Sequence, residues 1–178
     1  MSVENLNGCN TSWSRCDERE MAHGLRRSPY HVLTDDEIEM LKGEIRAIKA
    51  DESVFVFNDR RVRGTSYIPA LDIIAVKGNV FPDINSDHPR DLLSPRAVLA
   101  HEYYGHRPYR DTKMDIGDWC DEFRASYMAA KNSPGLTDED RRLLILDCVT
   151  RAKDAGISIN YNNYMRGVIY GTTEQTGS

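Results

Sequence analysis

The sequence contains no run of eighteen apolar residues, so no membrane-spanning helix is expected. Its N-terminus lacks the basic-then-apolar pattern of a signal peptide. A cytoplasmic protein is therefore the default expectation, with secretion by another route left open. Cysteine is scarce: four residues, Cys9, Cys16, Cys120 and Cys148, with no Cys-x-x-Cys pair. That scatter argues against a disulfide framework and against a cysteine-based structural zinc site. Cys120 and Cys148 fall in helical patterns as small core residues. Cys9 and Cys16 lie in a polar leader, where free thiols are the default and a pair is the alternative. Positive charge is also in deficit. The net charge of −5 gives no general attraction for nucleic acid or an anionic membrane, and neither is expected as a partner. The short arginine groups (Arg26-Arg27, Arg60 to Arg63, Arg107 to Arg110) read as solvated loop charge, with substrate contact open for the pair beside His106. There is no internal repeat and no linker, and 178 residues suffice for one core, so a single domain is expected.

Histidine is scarce too, five in all, yet two fall within six residues: His101-Glu102-Tyr103-Tyr104-Gly105-His106. Two imidazoles around a carboxylate are the parts of a zinc hydrolase site. Neutral imidazole is a good Zn²⁺ ligand, and a neighbouring Glu can take a proton from water and pass it to a leaving amine. The common form is His-Glu-x-x-His, because helix positions four apart differ by only about 40°. Here the second His is five positions on, which a regular α-helix would turn about 140° away. The spacing predicts a π-turn, with Gly105 letting the backbone loosen.

Fifteen residues after His106 comes Asp121-Glu122-Phe123-Arg124-Ala125-Ser126. The two motifs together, over residues 101 to 126, resemble His-Glu-x-x-Gly-His and Glu-Glu-Cys-Arg-Ala-Glu of the dipeptidyl peptidase III metallopeptidases. The resemblance implies His101, His106 and Glu122 as zinc ligands and Glu102 as the catalytic base. The shared Arg124-Ala125 sets the register on Glu122 rather than Asp121. Ser126 stands where that family has an acid. What the resemblance implies is a small zincin-like protein with the same ligand arrangement; a dipeptide-releasing exopeptidase does not follow from it. The blander alternative for Glu122 is an acid favoured in the first turn of a helix.

Around these motifs, residues 1 to 28 read as a polar arm, 29 to 170 as the zincin-like metallopeptidase domain, and 171 to 178 as a frayed tail. Thr34 and Glu37 form a capping box ahead of an amphipathic stripe (Ile38, Leu41, Ile45, Ile48) that should run to about Ala50. Strands are expected at Val54 to Phe57, Thr65 to Ile68 and Asp72 to Val76, and a loop over Ile84 to Leu93 with His88 on its surface. Ser94 and Pro95 start the active-site helix, and Pro108 ends it. Asp118 caps the next helix, whose apolar stripe reads as Trp119, Phe123, Tyr127 and Ala130. Thr137 caps a last helix to about Ala155, with Leu144, Ile145, Cys148, Val149 and Ala152 inside and Gly156 as its stop. The fold class is α+β, with a small mainly antiparallel sheet, an active-site helix and a second ligand-bearing helix.

The expected activity is Zn²⁺-dependent hydrolysis of a peptide or protein substrate. Tyr161, Tyr164, Arg166 or a Tyr near the motif is the candidate oxyanion donor, and Asp118 or Asp121 a candidate partner for a ligand imidazole. Tyr103 and Tyr104 read as packing residues. The substrate is expected along Asp72 to Val76 if that strand is an edge, as Pro69 suggests; the alternative is an interior, fully paired strand. Two other functions stay open: a hydrolase on the same site with a non-peptide or single narrow protein target, as in a toxin or effector, and a non-catalytic interaction module. Zinc content and cleavage of a mixed peptide library separate them.

Overall fold

The computed structural model describes residues 29–111 and 118–171. The polar arm with Cys9 and Cys16, the middle of the connector at 112–117, and the last seven residues lie outside them. Among the described residues the fold is α+β, a three-stranded sheet against a set of helices, and no helix is long and apolar enough to cross a membrane.

Helix α1 (Asp35–Ala47) starts as its sequence dictates. Thr34 Oγ1 accepts from the Glu37 amide at 3.3 Å and Glu37 accepts from the Thr34 amide at 2.9 Å. Leu41, Ile45 and Ile48 are fully buried. The helix stops short of Ala50 because Lys49 takes a left-handed φ of 55°.

The strands are β1 (Phe55–Phe57), β2 (Ser66–Ile68) and β3 (Ile73–Val76), in the spatial order β1-β3-β2. β3 pairs in parallel with β1 and antiparallel with β2, so the sheet is mixed rather than mainly antiparallel. This also corrects the edge assignment. β3 is the central strand, with Ile74, Ala75 and Val76 fully buried, and the edges are β1 and β2. Pro69 lies in neither strand and marks the break between β2 and β3. A tight turn at Pro69 to Asp72 (Asp72 amide to Pro69 carbonyl, 3.3 Å; Asp72 φ 51°) folds β3 back between the other two.

The expected loop at Ile84 to Leu93 contains a short helix, α2 (Pro89–Leu92), capped by the His88 ring; His88 Nε2 also approaches Asp154 at 3.4 Å. Helix α3 (Pro95–Ala100) has Ser94 as N-cap and Pro95 at its first position, and Ala97 through Ala100 are all buried. It runs directly into a π-turn over His101–His106, as the five-residue spacing predicts, and then a 3₁₀ turn over Arg107–Tyr109 that includes Pro108. Tyr103 stacks on Phe55 with ring centroids 5.9 Å apart, and the Tyr104 hydroxyl donates to the Ile48 carbonyl at 2.7 Å, so both pack the turn onto the core.

Helix α4 (Trp119–Asn132), capped by Asp118, packs on the π-turn and on α5 (Asp138–Asp154). Its fully buried face carries Ala125, Ser126, Ala129 and Ala130, while Phe123 and Tyr127 are half-buried at the periphery. The expected aromatic stripe is thus secondary. Small side chains win the inner face because the π-turn approaches too closely for larger ones. α5 buries Leu144, Ile145, Cys148 and Ala152, with Val149 only half-buried, and ends before Gly156 at φ 72°. A helix that the tyrosine-rich remainder did not announce, α6 (Asn163–Tyr170), is capped by Asn162 and buries Met165 against this group.

Candidate metal centre

The π-turn brings the two imidazoles to the same side. His101 Nε2 and His106 Nε2 lie 3.0 Å apart, with their rings at 75°. From α4, Glu122 presents Oε2 to His101 Nε2 at 3.4 Å and Oε1 to His106 Nε2 at 3.6 Å. Bonds of about 2.0–2.2 Å at tetrahedral angles set neighbouring ligand atoms roughly 3.3–3.6 Å apart. Both carboxylate–imidazole distances fall in that range and the two imidazole nitrogens stand slightly closer, so the His₂Glu donor set suits one tetrahedral cation such as zinc. Two overlapping groups, His101–Glu102–His106 and His106–Asp121–Glu122, each gather their donor atoms within 4.8 Å.

The outer nitrogens are held. His106 Nδ1 faces Asp121 Oδ2 at 3.3 Å, and Asp121 also pairs with Arg124. Asp118 has no such part; its carboxylate caps α4 through the Trp119 amide. His101 Nδ1 lies 3.0 Å from Ser126 Oγ. Burial and the His101 ring hold the His106 imidazole down to about 4, and Asp121 at Nδ1 favours the hydrogen there, which leaves the lone pair to Nε2. Burial pushes the Glu122 carboxyl up, but His101, Arg151 and His106 outweigh it and hold the group down to about 2. Arg151, on α5, reaches Glu122 Oε2 at 3.1 Å.

Glu102 is buried at 7% exposure and its Oε2 accepts from the Tyr67 amide of β2 at 2.8 Å. Burial, with the Glu122 charge adding and His101 opposing, raises its carboxyl to about 7. A carboxyl near neutrality can both take and return a proton.

Tyr161, Tyr164 and Arg166 lie outside this cleft. Tyr164 packs edge-on against Tyr127 at 5.8 Å, and Arg166 is exposed on α6. The tyrosines that line the cleft are Tyr67 and Tyr109, the latter three residues past His106 and under the Arg124 guanidinium at 4.8 Å. Sequence reading missed Tyr67, Asp147 and Arg151. The last two are an i, i+4 acid–base pair set among the apolar positions of α5, an arrangement that marks a buried polar cluster when found within a core stripe.

The mouth of the site is tied to the sheet by Asp72. Arg107 grips both its oxygens at 2.9 Å, and the Tyr67 hydroxyl donates to Oδ1 at 2.9 Å. Chiefly through Arg107, the Asp72 carboxyl is held well below the usual carboxylate range. A depressed carboxyl contributes stability above its unfolded value of 3.8 and loses it as pH falls through the folded value. Asp72→Asn should therefore melt lower than wild type at pH 7, and the gap should narrow steadily below about pH 4. Thermal melts across that range check it, and a gap independent of pH would show that the pair contributes nothing.

No protein-family model, curated protein or solved structure matches the chain.

Proposed function

We propose that this chain is a zinc-dependent metallopeptidase on a zincin-like domain, with His101, His106 and Glu122 as ligands and Glu102 as general base. The reading rests on one arrangement. Three donors from two elements converge at ligand spacing, and a buried carboxylate beside them is held by a backbone amide rather than by a countercharge. The resemblance of the two sequence motifs to dipeptidyl peptidase III enzymes supports the same ligand set.

When bound, the zinc ion supplies a Lewis acid that acidifies water and polarises a carbonyl. Glu102, fixed through Oε2 by the Tyr67 amide, has Oε1 to receive a proton from the attacking water and return it to the departing nitrogen. The substrate takes the edge of β2 rather than β3. The Tyr67 amide points away from β3 toward Glu102, and an extended residue sends its carbonyl to the same side, so an N–H of an extended peptide can donate there. Of the two tyrosines that line the cleft, Tyr67 has its hydroxyl on Asp72, which leaves Tyr109 as the candidate oxyanion donor.

Metal analysis and a mixed peptide library test this reading. Purified protein is expected to carry one zinc per chain, to cleave the library, and to lose both properties in Glu122→Ala. Unaltered zinc in Glu122→Ala would remove that residue from the site. Zinc without any peptide cleavage would leave the metal centre and overturn the peptidase.

A further inference from the structure

We propose that Ser126 and Asp147 form a relay that fixes the tautomer and orientation of His101, which makes helix α5 part of the metal centre. The consequence for zinc rests on the function proposed above; the relay itself does not.

Three buried groups stand in line on three elements. His101 Nδ1 is 3.0 Å from Ser126 Oγ on α4, and Ser126 Oγ is 2.5 Å from Asp147 Oδ2 on α5. Ser126 and Asp147 are fully buried and His101 is nearly so. Arg151, one turn on from Asp147, donates from Nε to the same Oδ2 at 2.8 Å and from its other end meets ligand Glu122. One acid–base pair on α5 thus supports two ligands.

The line has a direction. An ionised carboxylate only accepts, so the Ser126 hydroxyl must donate to Asp147. The Ser126 oxygen then offers a lone pair to His101, whose Nδ1 must carry the hydrogen. Nε2 is left with the lone pair that a metal needs, and it is the nitrogen that faces His106 and Glu122. Serine alone would not decide this, since its hydroxyl can donate to Nδ1 equally well and so favour the wrong tautomer. Asp147 removes that choice.

A packing role does not explain Asp147. A fully buried carboxylate is costly where an apolar side chain of similar size would fill the space, and its Oδ1 has no hydrogen-bond partner among the described residues. Where the dipeptidyl peptidase III motif ends in an acid, this chain has a serine on α4 and a carboxylate one step further, on α5.

The experiment uses the full chain with ¹⁵N-labelled histidine, treated with chelator and held at a pH where the imidazoles are neutral. Long-range ¹H–¹⁵N spectra report which nitrogen of His101 carries the hydrogen. Wild type is expected to show Nδ1–H. In Asp147→Ala the Ser126 hydroxyl loses its acceptor and is free to turn, and His101 is expected to shift toward Nε2–H; Asp147→Asn, whose amide oxygen Arg151 would hold in the place of Oδ2, is expected to keep Nδ1–H. Zinc affinity, measured by chelator competition, should fall roughly 10–100-fold in Asp147→Ala and in Ser126→Ala, and the double variant should lose little more than either. An Nε2–H tautomer in wild type, or an unchanged tautomer with unchanged affinity in Asp147→Ala, overturns the relay. Because the tautomer is read without metal, its result stands even if the chain binds no zinc, an outcome that would instead overturn the function proposed above.

Discussion

Glu102→Gln is expected to leave the fold and the zinc content intact and to slow peptide cleavage by about 10²–10⁴-fold. The substitution keeps the shape of the side chain, and its amide oxygen can still accept from the Tyr67 N–H that now holds Oε2 at 2.8 Å. What it removes is the ability to take a proton at neutral pH. Burial has placed the native carboxyl near 7, where it can act in both directions of the transfer. Cleavage rates on a peptide from the library, with zinc measured on the same samples, check the prediction. Near wild-type turnover would sink the assignment of Glu102 as base, and loss of zinc would mean that Glu102 is a ligand.

Gly105→Ala should have the largest effect on the folded protein. A Cβ at Gly105 would sit 2.4 Å from the Ala125 carbonyl oxygen and 2.7 Å from the Ala125 carbonyl carbon and Cα, all of them backbone atoms of α4. No side chain can swing aside there. Relief requires about 1 Å of separation between the π-turn and α4, the difference between 2.4 Å and an ordinary contact near 3.4 Å. Overpacking of this kind costs typically 1–3 kcal/mol and occasionally more. It would also draw Glu122, three residues before Ala125 on the same helix, away from His101 and His106. Since metal sites tolerate only about ±0.2 Å in ligand distance, zinc affinity should collapse before the fold does. Chelator competition and thermal melts on the same variant separate the two losses. A variant that melts like wild type and binds zinc as tightly would show that the helices can part at no cost.

Gly105 shows how far local reading reaches. Its place just before His106 suggests a backbone that must loosen, and the π-turn is indeed there. The stronger constraint is the neighbouring helix, which no local pattern reveals. The sheet teaches the same lesson. Pro69 suggests an edge at β3, yet it stands only in the turn after β2, and which strand is the edge depends on β3 folding back between β1 and β2. That ordering is a choice among long-range pairings with similar local chemistry.

By itself the sequence determined what one stretch of chain can decide. It set the Thr34–Glu37 capping box, the start at Ser94-Pro95 of the helix that leads into the His-Glu motif, and the donor types in each motif. The caps follow from side chains acting on backbone groups three residues away, and the π-turn was legible only on the premise that two histidines five apart share one metal. Tertiary structure alone decided the rest. It left Tyr161, Tyr164 and Arg166 outside the cleft and put Tyr109 in it, joined the Tyr67 amide to Glu102, and set Asp147 behind Ser126 and Arg151 beside Glu122. Those contacts link residues 21 to 35 positions apart on separate elements. Their partners are fixed by how small-residue faces let helices approach and by where buried charges find one another, and the pattern of one helix does not say which other element it meets.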